Sequence, residues 1–144
     1  MEYLGNQELI NLTKVGFLCS QRFPAEVVLK SYAWAKQQRS AGQCVVCGAH
    51  SQLEKDVFDI LLKGNQPLIL VLARGMKKKW DSVINNALAK NRLLIISPFD
   101  ESIIKTTTEQ AEIRNKFIID FCDNMHIPYS QPNGMLSKLL ANTH

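Results

Sequence analysis

The 144-residue sequence has no apolar run approaching the ~18 residues that a membrane-spanning helix requires. Its opening stretch, Met1-Glu2-Tyr3-Leu4-Gly5-Asn6-Gln7-Glu8, lacks the basic segment and apolar core of a signal peptide, so a cytoplasmic protein is expected. Seven glycines and five prolines are too few for a collagen-like or low-complexity chain, and 46% hydrophobic residues exclude a disordered one. The length suits a soluble single domain over residues 1–144, with a core of about 14–136. Cysteine is sparse: Cys19, Cys44, Cys47 and Cys122 lie in apolar runs, where reduced thiols behave as small buried hydrophobes, and disulfides are not expected.

Several chemical signatures are also missing. There is no G-x-x-x-x-G-K-[ST] phosphate loop, no G-x-G-x-x-G dinucleotide fingerprint and no G-x-S-x-G nucleophile elbow. Cys44 and Cys47 have the spacing of half a zinc site, but no second Cys/His pair completes it, and positions three apart on a strand point to opposite faces. No metal, cofactor or catalytic residue is therefore assigned. His50, Ser51 and Asp56 carry the residue types of a hydrolase triad, yet Ser51 is better explained as a helix cap.

What is present is an alternation. Short, β-branched-rich apolar runs occur at 14–19, 43–47, 67–73 and 92–97, with a weaker one at 126–130, and each has the length of a strand buried on both faces. Helical segments separate them. The stretch 24–39 places Val27, Val28, Ser31, Trp34 and Ala35 on one stripe and stops at Ser40-Ala41-Gly42. Ser51 and Glu54 form a capping box ahead of Val57, Ile60 and Leu61, with a stop at Lys63-Gly64. A third helix is predicted over 81–90, and a fourth over about 108–124 with Ile113, Phe117, Ile118 and Phe121 as its apolar face. This order predicts an α/β, Rossmann-like, doubly wound and mostly parallel sheet of about five strands, with helices on both faces. The first ~12 residues are expected as a short leading helix and the tail after Gly134 as loosely held.

In such a sheet the ligand lies beyond the C-terminal strand ends. The residues there are Ser20, Gln21 and Arg22 after the first strand; Gly48, Ala49, His50 and Ser51 after the second; Arg74, Gly75, Met76, Lys77, Lys78 and Lys79 after the third; and Ser97, Pro98 and Phe99 after the fourth. The net charge of +4, from 17 Lys and Arg against 13 Asp and Glu, is small, but its cations gather at this edge, with Arg114 and Lys116 close to the start of the fourth helix. Helix N-termini add free N–H groups, so the edge describes an anion site suited to phosphate. Trp80, beside the lysine run, is placed to stack on a base, whereas Trp34 reads as core.

These loops resemble those of the Rossmann domain of the DprA/Smf DNA-processing family, within a superfamily that includes the LONELY GUY-type nucleotide-binding proteins. Val15-Gly16-Phe17-Leu18-Cys19-Ser20-Gln21-Arg22 resembles the first-strand G-x-x-x-S-R element, and Val45-Val46-Cys47-Gly48-Ala49-His50-Ser51 stands where the family has a Ser-Gly-Gly-Ala type of loop. Leu70-Val71-Leu72-Ala73-Arg74-Gly75 is similar to the third strand and its loop. Leu94-Ile95-Ile96-Ser97-Pro98, followed by Ile113-Arg114-Asn115-Lys116-Phe117-Ile118, is similar to the "serine, proline, then R-N-[RK]-x-I" pattern, the most specific of these signals. The chain departs from the family in having Gln21 between Ser20 and Arg22, one glycine in the second loop, and Gln52-Leu53-Glu54-Lys55-Asp56 where an acidic-glycine-isoleucine-aspartate stretch is usual. It has no room for the additional N-terminal and C-terminal domains of full-length members, and lacks the P-G-G-x-G-T-x-x-E motif of the cytokinin-activating branch.

The resemblance implies a domain that binds single-stranded DNA in DNA processing, uptake or recombination; with no catalytic motif identified, a binding role is expected ahead of an enzymatic one. The resemblance makes Arg22, Gly48, Ser51, Arg74, Lys77 and Arg114 phosphate contacts; the loop positions add Ser20, Gly75, Lys78, Lys79, Ser97 and Asn115. A second expectation is a pocket for a small nucleotide or nucleotide-derived ligand. A third, a hydrolase of nucleotide N-glycosidic bonds, requires a carboxylate in the pocket, for which Glu54, Asp56 and Glu112 are the candidates. No membrane partner is expected, and association into a homodimer through an edge strand or an outer helix is compatible with an open sheet.

Overall fold

A computed structural model describes residues 1–142; the last two residues of the expected C-terminal tail, Thr143 and His144, lie outside the described residues. The elements in chain order are β1 (Glu2–Gly5), a 3₁₀ turn (Gln7–Asn11), β2 (Lys14–Phe17), α1 (Glu26–Ala41), β3 (Cys44–Cys47), α2 (Gln52–Leu62), β4 (Leu68–Val71), α3 (Ser82–Ala89), β5 (Leu93–Ser97), α4 (Thr108–Phe121), β6 (Asn124–His126) and α5 (Met135–Ala141). The strands form one sheet in the order β1-β5-β4-β3-β2-β6. Five strands are parallel, and β1 pairs antiparallel with β5 from Glu2 opposite Ser97 to Gly5 opposite Leu94. This is the Rossmann-like, mostly parallel α/β sheet expected from the pattern of apolar runs.

The two faces follow from strand alternation. Val45, Cys47, Leu68, Leu70, Leu93 and Ile95 point to one side, where they pack with Val27 and Ala35 of α1, Val57 and Leu61 of α2, and Ile84 of α3. Cys44, Val46, Ile69, Val71, Leu94 and Ile96 point to the other, against Leu9, Ile118 of α4 and Leu136 of α5. Cys44 and Cys47 thus sit in different halves of the core, as period-2 geometry requires. Progression from β2 through β5 in one direction puts α1, α2 and α3 on one face; the return from β5 to β6 carries α4 across the other, as right-handed crossovers dictate. Trp34 stacks flat on His126, with ring centroids 4.3 Å apart, at the margin of the first face.

The local signals act as expected. Gly42 closes α1 in the left-handed conformation (φ 73°), and the Ser51/Glu54 capping box starts α2. Arg92 donates to the carbonyls of Leu61, Leu62 and Gln66, meeting the C-terminal end of α2 with a fixed cation.

Four expectations need correction. The leading segment is not a helix: residues 2–5 add a sixth strand, and only a 3₁₀ turn capped by Asn6 follows. The weak last strand lies at 124–126 instead of 126–130, because Pro128 has no N–H for the ladder. Leu18 and Ser20 still donate to the carbonyls of His126 and Tyr129, so the chain tracks β2 past the formal strand. The segment after Gly134 is α5, anchored by buried Leu136 and Leu139. Finally, the buried face of α4 runs through Ala111, Arg114 and Ile118; Ile113 is 46% exposed.

Candidate functional site

Connections from β2, β3 and β4 lead to the first face, and those from β5 and β6 to the second. Adjacent strands β4 and β5, and likewise β2 and β6, therefore send their chains to opposite sides. Such switch points open a crevice at the C-terminal strand ends, where open α/β sheets bind ligands. The loop 48–51, after β3, stands between the two switch points.

Two buried charges organise this loop. Arg114, 1% exposed, donates from Nη1 to the carbonyl of Gly48 (2.9 Å) and to that of Val71 (3.4 Å), and from Nε to Asn115 Oδ1 (2.8 Å). It satisfies two carbonyls at the ends of neighbouring parallel strands. Burial lowers its pKa from the ordinary guanidinium range, and the negative charge of Glu54 opposes that shift. Glycine is needed at position 48, since a Cβ there would lie 2.6 Å from the Arg114 guanidinium carbon.

Glu54 is 3% exposed, and its carboxylate accepts three backbone N–H groups. Oε1 takes those of His50 (3.2 Å) and Ser51 (3.1 Å), and Oε2 takes that of Cys19 across the β2 loop (3.4 Å). Converging N–H groups at a helix N-terminus form an anion nest, and here the chain's own carboxylate fills it. The turn that aims them uses Ala49 at φ 48°, in the left-handed region. His50 is held below its ordinary pKa, first by burial and then by Arg114, with Glu54 acting the other way.

Two hollows flank the loop. On one side, a cavity of about 300 Å³ lies between the starts of α2, α4 and α5. Ser20, His50, Glu54, Thr106, Arg114 and Asn115 provide its polar lining, with Cys19, Ala111, Met135 and Leu136 as its apolar wall. On the other side, a groove of about 480 Å³ runs between α2 and α3, with Lys55, Lys77, Lys79 and Trp80 at its walls and Gly48 at its base. Lys77 Nζ lies 5.2 Å from the Trp80 ring centroid, a cation–π contact that orders the start of the lysine run.

The expected site residues are distributed between these hollows. Ser20, Ser51, Arg114 and Asn115 line the cavity; Gly48, Lys77 and Lys79 line the groove. Lys78 and Arg22 are exposed on the same edge but line neither. Arg74 is half-buried and donates to the carbonyl of Gly75. Gly75 is buried where the β4 and β5 loops touch, and a Cβ there would strike the carbonyl oxygen of Asp100. Ser97 is fully buried, with Oγ donating to the Arg74 carbonyl at 2.6 Å, so it joins the two loops instead of facing solvent. Of the three carboxylates considered for hydrolysis, only Glu54 lines the cavity; Asp56 accepts from Tyr32 Oη (2.7 Å) and Gln52, and Glu112 is exposed. Sequence reasoning passed over Lys55, which α2 brings to the groove one turn after its cap, and Thr106, Thr107 and Thr108, which the β5–α4 loop brings to the cavity.

No family model matches the chain, and no curated protein sequence does. Solved structures do. DNA processing protein A from Helicobacter pylori, described for its unique single-stranded DNA binding mode, superposes with a TM-score of 0.74 at 17% identity, over 95% of this chain and 65% of that protein's. DNA processing protein A from Streptococcus pneumoniae superposes with a TM-score of 0.73 at 16% identity, over 96% of this chain and 50% of that one. This chain therefore spans between half and two-thirds of their length, and the shared feature is the fold: a DprA-like Rossmann domain.

Proposed function

We propose that the protein binds single-stranded DNA through the backbone phosphates, with the groove between α2 and α3 as the contact surface. The observation that carries this reading is the convergence of Lys55, Lys77 and Lys79 on one groove with Trp80 in its wall, at the sheet edge where this fold class takes ligands. Three lysines from two elements give the spaced point charges that a phosphate backbone meets, and an aromatic beside them is the usual partner of an unpaired base. Lys78, Arg22 and Arg74 extend the positive edge beyond the groove and steer the strand toward it. The loops act as one unit in this reading: Gly48 lets the β3 loop lie against Arg114, and Gly75 lets the β4 loop meet the β5 loop at Asp100. The described single-stranded DNA binding of the Helicobacter pylori protein supports the choice of ligand.

The test is a fluorescence-anisotropy titration of a labelled oligonucleotide. Affinity should fall by about 0.7 log units per log unit of salt for each phosphate neutralised on a single strand, and a duplex of the same length should compete poorly. Absence of binding at low salt would end this reading.

A further inference from the structure

The cavity and the groove share the loop 48–51 as a wall but differ in charge. The groove is cationic. In the cavity, the buried Arg114 guanidinium faces the buried Glu54 carboxylate's charge, so its fixed charges cancel. The N–H groups of Cys19, His50 and Ser51, which converge just ahead of α2, are already bonded to Glu54. A second anion there would meet a buried negative charge at low dielectric with the nest's donors occupied.

Two donors still face the cavity. Arg114 Nη2 has no acceptor among the described residues, and Asn115 Nδ2 has only the Met135 sulfur at 3.8 Å, a weak partner. Asn115 Oδ1 is held by Arg114 Nε, which orients the amide so that its donors are presented. Beside them lie Met135 and Leu136, an apolar surface suited to the face of a flat ring. A volume of about 300 Å³ is at the lower end of small-ligand sites and holds one nucleoside.

We infer that this cavity takes an uncharged, carbonyl-bearing nucleobase, with Arg114 and Asn115 donating to its acceptor edge, and that Glu54 makes it reject phosphate. Resting on the DNA-binding reading, the inference divides the strand at the loop: phosphates lie along the lysine groove, and an unstacked base turns across the 48–51 wall into the cavity. Discrimination is then partly repulsive, since Glu54 denies the anion a site that the fold would otherwise offer.

The experiment is amide-resolved NMR of the full chain with free nucleosides, inorganic phosphate and a single-stranded oligonucleotide as separate probes. Deoxyguanosine, whose O6 and N7 present adjacent acceptors, should shift the amides of Ser20, Thr106, Asn115 and Met135 and leave those of Lys77 to Trp80 unmoved. Deoxyadenosine, which has no carbonyl, should bind about tenfold more weakly, and inorganic phosphate should leave the cavity amides in place. Asn115→Asp, which keeps the acceptor for Arg114 and removes the donor, should weaken deoxyguanosine about tenfold, one lost hydrogen bond. Lys77→Ala/Lys79→Ala should weaken the oligonucleotide and leave deoxyguanosine unchanged. Phosphate shifts at the cavity amides, or equal affinity for the two nucleosides, would overturn the inference even if the oligonucleotide binds. Loss of oligonucleotide binding alone, with nucleoside shifts intact, would overturn the DNA reading and leave the cavity assignment standing.

Discussion

Glu54→Ala removes the anion that the loop 48–51 is built around. Three backbone N–H groups, those of Cys19, His50 and Ser51, lose their acceptor, and the capping box at the start of α2 is halved. Each buried donor left unpaired costs about 1–3 kcal/mol, eased where cavity water can reach it, so a loss of about 3–5 kcal/mol is expected. Arg114 adds to this loss, because Glu54 is the negative charge that offsets its burial. For a chain of this size the melting temperature should fall by about 10–15 °C, read by circular dichroism and checked by urea denaturation. The emptied nest should then accept a small external anion. Phosphate or formate at a hundred times its dissociation constant for the nest restores about 2.7 kcal/mol to the variant beyond any effect it has on the wild-type protein. A variant within about 1 kcal/mol of wild type, with no anion dependence, would refute the self-filled nest.

Ala49→Gly should stabilise the protein by about 0.5–1 kcal/mol, since φ 48° costs an L-residue more than glycine's extra chain entropy; a lower melting temperature in the variant would contradict this. His50 and His126 are both held below their ordinary pKa, His50 by burial and then Arg114, His126 by burial, so the unfolded chain binds more protons than the folded one as pH falls through about 6.5. Their contribution is complete above that pH and is lost below it, so urea midpoints should be lower at pH 5.5 than at 7.5, with His50→Asn reducing the difference. A midpoint that rises toward pH 5.5 would reverse the sign. Burial raises the thiols of Cys19 and Cys44 to about 11 and that of Cys122 to about 12, so iodoacetamide at pH 7.5 should label the folded protein far more slowly than the unfolded one; equal rates would contradict the packing.

Central strands and caps were legible in the sequence because their determinants are local. The runs 44–47, 68–71 and 93–97 are apolar without alternation, as strands covered on both faces must be, and Ser51/Glu54 announces α2 within four residues. β1 was not legible, because Glu2 to Gly5 gains its structure from a ladder to residues 94–97, far along the chain. The face of α4 was misread for a chemical reason: hydropathy favours Ile113 over Arg114, but only Arg114 can satisfy the carbonyls of Gly48 and Val71. The edge carrying the loops after β2 to β5 was legible from the order of elements, and the lysine run from the sequence itself. That Arg114 and the lysines lie on opposite sides of one loop depends on tertiary placement, as does the reach of Glu54 to the Cys19 N–H.

The central claim is that Lys55, Lys77 and Lys79 neutralise the phosphates of a single strand. Oligonucleotide affinity measured across 50–200 mM salt, for wild type and for Lys55→Ala/Lys77→Ala/Lys79→Ala, tests it most directly. Three fewer neutralised phosphates should flatten the log–log salt slope by about 2, a reduction of more than tenfold in the affinity lost over that range. An unchanged slope in the triple variant would contradict the account.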